Sequence, residues 1–514
     1  MGLMKKIKAV IASMCIGIML FGTTALTYAL EGDVIWGWNV GGDQGETFTS
    51  TIETADGGFL VAGYTSSTTG VPWSNSGMAD GLIVKFNGDG SIAWAYTYGG
   101  ELNDYFADVI ETSDGYIVIG YSYSTTGAPW GAVSTGSSTD AIVMKIDKNG
   151  GVIWAQNHGD VNGDFFSAIS ENGSGYFVVG GSSSDYFDTG NYPSGANQVA
   201  IGVQIDPVNG NIIWSKSYGG GERDQFNSVT KVSDGSLVVT GVANGATSSS
   251  AYWGPPLGLS DAIVAKIDSA NGNVIWARNY GGSNHEVLSD LVETNDGNYL
   301  VVGDISSNVA SWGGLSSSNP DALVLKLNSS NGDVIWGKTY GGTGYDYFTS
   351  VLIMHDGGIA IAGTTTSPNF WPNKITTDND ALIVEIDASD TNMGTIVWSQ
   401  LYGGTGDDRF NSMIVTSTGA FIASGISTST NSRDWGTTNG GYDGVIMKLE
   451  GLPIPTVSIP TVPSPPIVVP APSPVTGVNN NVIIWSLVAT AGIMLVIHER
   501  KVYLKRNFDF RNKQ

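Results

Sequence analysis

Apolar residues along the chain fall in short runs, and the runs come in fours. Residues 99–154 show one full round. A glycine-rich stretch, "GGELNDYF", leads into "ADVIETSDG", which ends at Asp-Gly. "YIVIGYS" follows, then a long polar stretch, "YSTTGAPWGAVSTGSST", then "DAIVMKID", the turn "KNGG" and "VIWAQN". The runs are too short for helices and rich in Val, Ile and aromatic residues, so each is predicted to be a strand. Asp-Gly and Asn-Gly between runs favour tight hairpins, because such turns need positive φ. Several second runs are apolar at consecutive positions, which predicts cover on both faces. Each also carries a glycine (Gly63, Gly120, Gly180, Gly241, Gly303, Gly363, Gly425), a sign of close backbone approach or a bend.

The pattern repeats with a period near 60. Its marker tryptophans are Trp36, Trp94, Trp154, Trp214, Trp276, Trp336 and Trp398, spaced 58, 60, 60, 62, 60 and 62 residues apart. Four antiparallel strands repeated seven times predict an all-β, seven-bladed β-propeller over residues 30–450. The marker tryptophans are read as structural packing between blades. The last unit holds "FNSMIVT", "AFIASGI" and "DGVIMKL" but no fourth run, whereas the chain's first unit opens with a stray one, "DVIWGWNVGG". The N-terminal run is therefore predicted to complete the last blade and close the ring, hiding the edges that both would otherwise expose.

The ends of the chain change the picture of where the ring works. "MGLMKKIK", the apolar "AVIASMCIGIMLFG" and small residues at Thr27 and Ala29 predict a signal peptide over 1–29. The only cysteine, Cys15, lies in it, so thiol catalysis and disulfides are excluded from the remainder. Residues 451–472 form a proline-rich linker. Residues 473–514 hold Ser473, Pro474, Val475, Thr476 and Gly477, an apolar run at 482–497 and a basic tail. This order resembles the cell-wall sorting signal of Gram-positive surface proteins. Ser473 stands where the usual motif has leucine, and the variant resembles the one read by class B sortases. The resemblance implies cleavage between Thr476 and Gly477 and covalent linkage to peptidoglycan, with sortase as a partner. The alternative is a single-pass membrane anchor. Both place the ring outside the cell, as a monomer.

Charge narrows the partners. The whole chain carries a formal charge of −24, and without leader and tail it keeps 14 basic against 45 acidic residues. Such a surface excludes nucleic acid as a ligand. The phrase "KIDSANGNVIWARNYGG" resembles the tryptophan-docking repeat of pyrroloquinoline quinone propellers. Those enzymes usually have eight blades, and many have a vicinal disulfide near the cofactor; this chain has seven copies and no cysteine beyond Cys15. The whole repeat, over residues 33–449, is similar to secreted propeller repeats of bacterial and archaeal surface proteins.

Two seven-membered sets are predicted to share one face, on the Tyr-Gly-Gly loops and the long loops. The acidic set is Glu46, Asp104, Asp164, Asp224, Glu286, Asp346 and Asp408. The aromatic set is Trp73, Trp130, Tyr192, Trp253, Trp312, Trp371 and Trp435. Aromatic faces could stack on sugars, and carboxylates could accept hydroxyl hydrogen bonds or hold calcium, although no cofactor is required. A third set, Asp80, Asp140, Asp261, Asp321, Asp380 and Asp443, opens the third strands, with Val199 breaking it. A competing account of both acidic sets and of the loop aromatics is that they hold turns and loops in place. His158, His285 and His355 form no metal-binding pattern, and no catalytic residue is assigned. The leading expectation is a wall-displayed binding or adhesion module for glycans or protein surfaces. The alternatives are an extracellular polysaccharide hydrolase or lyase, a quinone-dependent oxidoreductase, or a structural spacer.

Overall fold

The computed structural model describes residues 32–451, apart from 134–137, 174, 188–196, 221–222, 245–251, 256, 316–317, 369, 373 and 375–376. The expected leader, linker, sorting motif and basic tail lie outside the described residues, as does Tyr192. Among the described residues no helix is long and apolar enough to cross a membrane.

The chain forms seven four-stranded antiparallel sheets, the blades of a propeller. Blade 2 is representative: Asp104–Thr112, Gly115–Ser122, Asp140–Asp147 and Val152–His158, in that order from axis to rim. The first strands of successive blades contact one another around the ring, so they line the axis. Blade 7 is built from Asp408–Val415, Phe421–Ser427 and Asp443–Leu449, and its outer strand is Val34–Val40 from the other end of the domain. The pairing runs antiparallel from Val34 opposite Leu449 to Val40 opposite Gly444. The ring closes without a covalent link, as the missing fourth run requires.

The core is seven wedges, each shared by two adjacent blades. Between blades 1 and 2, for example, Leu60, Ala62 and Ile83 pack against Phe106, Val118 and Ile142, all at most 1% exposed. Second and third strands are thus buried on both faces, which explains their unbroken apolar runs. Each first strand carries a bulge, as between Phe48 and Ser50. There the polar side chain reaches the next blade: Thr49 Oγ1 donates to the Phe106 carbonyl at 3.0 Å, and Asn411 Nδ2 to that of Phe48 at 2.7 Å. The same bulge brings the first strand onto the second-strand glycine. A Cβ on Gly120 would sit 1.9 Å from the Tyr105 carbonyl oxygen, which is why this position is glycine.

At the rim, the marker tryptophan and a tyrosine four residues on grip the next blade's turn. Tyr218 Oη donates to the Gly272 carbonyl at 2.8 Å, and a Cβ on Gly272 would lie 2.6 Å from the Trp214 ring. The arrangement recurs with Trp276 on Gly332, Trp336 on Gly394 and Trp398 on Gly32. Trp154 packs on Gly210 and Trp36 on Gly90, while Trp94 stacks on Tyr96, whose ring meets Gly150.

Candidate functional site

The Tyr-Gly-Gly loops and the long loops do share a face. Asp43 N donates to the Thr69 carbonyl, and Asp43 Oδ1 accepts from the backbone N–H groups of Thr68 and Thr69. What the predicted sets do there differs from an open row of pockets.

The first acidic set is enclosed: Glu46, Asp104, Asp164, Asp224, Glu286, Asp346 and Asp408 are each at most 2% exposed. Each accepts the backbone N–H four residues earlier, as Gly100 to Asp104 at 2.8 Å and Gly404 to Asp408 at 2.9 Å. In most blades two hydroxyls after the second strand complete the cradle. Thr365 and Ser367 donate to Asp346, both at 2.5 Å, and Ser427 and Ser429 to Asp408 at 2.5 and 2.7 Å. The sequence carries this signal as a hydroxyl residue at alternate positions, "YTSS", "YSYS" and "ISTS". These carboxylates fasten loops. Among the described residues no group of three or more His, Cys, Asp or Glu is placed to hold a metal.

The third-strand set sits against the first across the blade junctions, except the one that Val199 opens. Asp80 Oδ2 accepts from Ser76 N at 2.6 Å, while its buried Oδ1 has no hydrogen-bond partner among the described residues. A Cβ on Gly99 would lie 2.3 Å from that oxygen and 2.7 Å from Asp104 Oδ2, so the two carboxyl groups face one glycine. Asp443 and Glu46 meet in the same way at Gly41. Burial pushes the Asp80 carboxyl up to about 6, with the Asp104 charge adding to it. Burial likewise raises Asp408 to about 6 and Asp164 to about 7, against the opposing pull of their hydroxyl and backbone donors.

The loop aromatics are also turned inward, which corrects the expectation of open stacking faces. Trp73, Trp130, Trp253, Trp312, Trp371 and Trp435 are between 2% and 9% exposed. Trp130 lies edge-on to Phe106 at 6.2 Å, and Trp435 to Phe410 at 6.2 Å. The indole N–H of Trp371 donates to Asp346 Oδ1 at 2.9 Å, and that of Trp435 to Ser427 Oγ at 3.0 Å. An indole on a long loop gains more by folding back on its blade than by facing water. In blade 3 this place belongs to Phe187, 2% exposed and 5.8 Å from Phe166.

The histidines also serve the scaffold. His158 Nε2 lies 2.9 Å from the Gly210 carbonyl, His285 Nδ1 is 2.8 Å from Ser260 Oγ, and His355 Nε2 is 2.9 Å from the Thr416 carbonyl.

Exposed aromatic surface gathers instead where the axis meets this face. In each blade the residue after the buried acid varies: Thr47, Tyr105, Phe165, Gln225, Val287, Tyr347 and Arg409. Each pairs with a second-strand residue: Tyr64, Tyr121, Gly181, Val242, Asp304, Thr364 and Ile426. Across blades 1 to 3 the rings run in series. Tyr64 and Tyr105 are 4.7 Å apart, Tyr105 and Tyr121 5.0 Å, and Tyr121 and Phe165 6.4 Å. All four are partly exposed. Across the mouth, Tyr345 and Tyr347 stack at 6.3 Å and 13°. They border a cleft of about 660 Å³ that Arg409, Asn319 and Asn379 also line. Deeper in the channel, Asp108 and Asp290 bridge neighbouring blades. Asp108 accepts from Ser50 Oγ at 2.6 Å and Ile169 N at 3.0 Å, and burial raises it to about 6 with Asp290 adding repulsion. The sequence held a signal for the mouth: the one non-repeating position inside a repeating motif.

Comparison with known proteins adds little to this picture. No family model matches the chain. It is 23% identical over 450 residues to the regulatory protein FlaEY of Caulobacter vibrioides, covering 78% of this chain and 46% of that protein. Among solved structures it is similar to quinohemoprotein alcohol dehydrogenase from Comamonas testosteroni, with 11% identity, TM-score 0.43, and coverage of 82% of this chain and 76% of that one. It is similar as well to the extracellular domain of a hybrid two-component system from B. thetaiotaomicron, with 10% identity, TM-score 0.40, and coverage of 81% and 40%. At these identities and TM-scores none of them assigns a fold, activity or partner to this chain.

Proposed function

We propose that this chain is a cell-surface binding module that recognises glycans at the tyrosine-bordered mouth of its ring. The reading rests on one observation: the unbroken series Tyr64, Tyr105, Tyr121 and Phe165, partly exposed at positions where the other blades vary. Rings in series offer flat apolar faces beside hydroxyls, which suits the mixed surface of a saccharide. The repeated sets are spent on the scaffold, so recognition falls to the part of the repeat that breaks symmetry. Glycan-array binding without turnover is expected. The double variant Tyr64→Ala and Tyr105→Ala should lose at least about tenfold in affinity, roughly the 1.4 kcal/mol one stacking face contributes. Unchanged affinity, or no binding to any saccharide, would sink the reading.

Display at the wall belongs to the same proposal and is supported by the order of motif, apolar run and basic tail. Thr476→Ala should leave the protein in the membrane fraction or shed it into the medium. Wall linkage resistant to boiling detergent in that variant would refute sorting at this motif.

A further inference from the structure

We infer that the saccharide read at this mouth carries a free ammonium group, as a de-N-acetylated amino sugar does. The inference rests on the binding reading above and names its ligand class.

The ring of mouth positions holds one carboxylate, Asp304, among aromatic residues. It occupies in blade 5 the place that Tyr64 and Tyr121 occupy in blades 1 and 2, paired with Val287 as they are with Thr47 and Tyr105. Asp304 is half-buried, and no described residue donates a hydrogen bond or an ion pair to it. Burial raises its carboxyl to about 7, with the Glu286 charge adding to the effect. Among the described residues no lysine or arginine pairs with this carboxylate. Most other carboxylates near lysine have found one, as Asp56 with Lys85 and Asp296 with Lys326.

The surroundings of Asp304 would welcome a cation from outside. Tyr347 of the next blade holds the place that Tyr105 holds beside Tyr64, 4.7 Å away, and Tyr345 stacks on Tyr347, so π faces lie on this side of the carboxylate. Ammonium groups are attracted to such faces and to a nearby anion together. The single cation on the ring, Arg409, lines the cleft with Tyr345 and Tyr347, and the neighbouring Asp407, held low by the backbone N–H and the side-chain amide of Asn379 and then by Arg409, offsets part of its charge. The exported surface is strongly acidic, so anionic sugars would be repelled on approach and cationic ones drawn in.

The test compares a glucosamine tetramer with its N-acetylated counterpart, by calorimetry on the intact chain near neutral pH. The two differ in charge at the same positions. The wild type should favour the charged tetramer by at least about tenfold, and the preference should shrink as salt rises. Asp304→Asn should lose the preference yet keep its affinity for the N-acetylated tetramer. Equal binding of both tetramers overturns this inference and leaves the binding reading standing; binding of neither overturns both. Undiminished preference in Asp304→Asn also overturns it, as does a lysine-rich peptide that binds more tightly than the charged tetramer.

Discussion

Removing residues 30–40 is expected to open the ring and cost most of the domain's stability. That strand touches three blades at once. It pairs along its whole length with Asp443–Leu449 of blade 7. It replaces a covalent turn by two backbone hydrogen bonds, Gly32 N to the Glu450 carbonyl at 2.9 Å and Glu450 N to that of Asp33 at 2.8 Å. Blade 6 holds it through Tyr402, 2% exposed, whose hydroxyl donates to the Gly32 carbonyl at 2.8 Å. On blade 1, Trp36 lies 6.0 Å from Phe59, and Val40 joins the wedge with Leu82 and Phe86. Burying side chains of this size contributes about 1.5–3 kcal/mol each, and lost ladder bonds add about 1 kcal/mol apiece. Against a net stability of about 5–15 kcal/mol, the truncated domain should melt at least about 10 °C lower or unfold without a cooperative transition. A peptide spanning residues 30–41, added in excess, should restore part of the loss by mass action. A truncated domain that melts with the intact one would refute closure by this strand.

This clasp was legible in the sequence because it depends on local signals that repeat. Seven copies of strand, Asp-Gly turn and strand glycine leave little freedom in counting blades. A missing fourth run after "DGVIMKL" and a spare one in "DVIWGWNV" then solve each other. The site was harder to read, for two physical reasons. Exposure of a loop aromatic depends on where the loop folds. Nothing local to Trp130 says that it will lean edge-on against Phe106, nor that Phe187 will fill that role in blade 3. Function also sits where repeats disagree, and a reading that averages seven units to find a pattern discards those positions. Tyr105, Tyr347 and Asp304 were visible only as exceptions. The buried acids were misleading for the opposite reason: a residue required in every blade fastens every blade.

Those buried acids make the domain's stability fall as pH rises from about 4 to about 7. A carboxyl whose value is raised by folding binds its proton more tightly in the folded state. Its contribution is complete below the ordinary carboxylate range and is lost as pH climbs through the raised value. Asp80 and Asp408, raised to about 6, and Asp164, raised to about 7, set that window. All three are at most 1% exposed, so solvent screens them little. A smaller group works in the other direction. Asp56 is held at about 2 by the Thr54 hydroxyl, the Gly58 N–H and Lys85, so its stabilisation is lost only below about pH 4. The melting temperature should therefore peak near pH 4–5 and drop by at least about 5 °C by pH 8, since each shifted unit is worth about 1.4 kcal/mol. The orphaned Asp80 Oδ1 offers the sharper check. In Asp80→Asn an amide N–H can stand there and donate to Asp104, so the junction no longer depends on a proton. That variant should be more stable than the wild type at pH 8 and show a flatter profile between pH 5 and 8. A melting temperature that stays level or rises from pH 5 to 8 would mean that folding does not raise these carboxyls. Thermal melts across that range, with Asp56→Asn as the control for the acid limb, decide between the two.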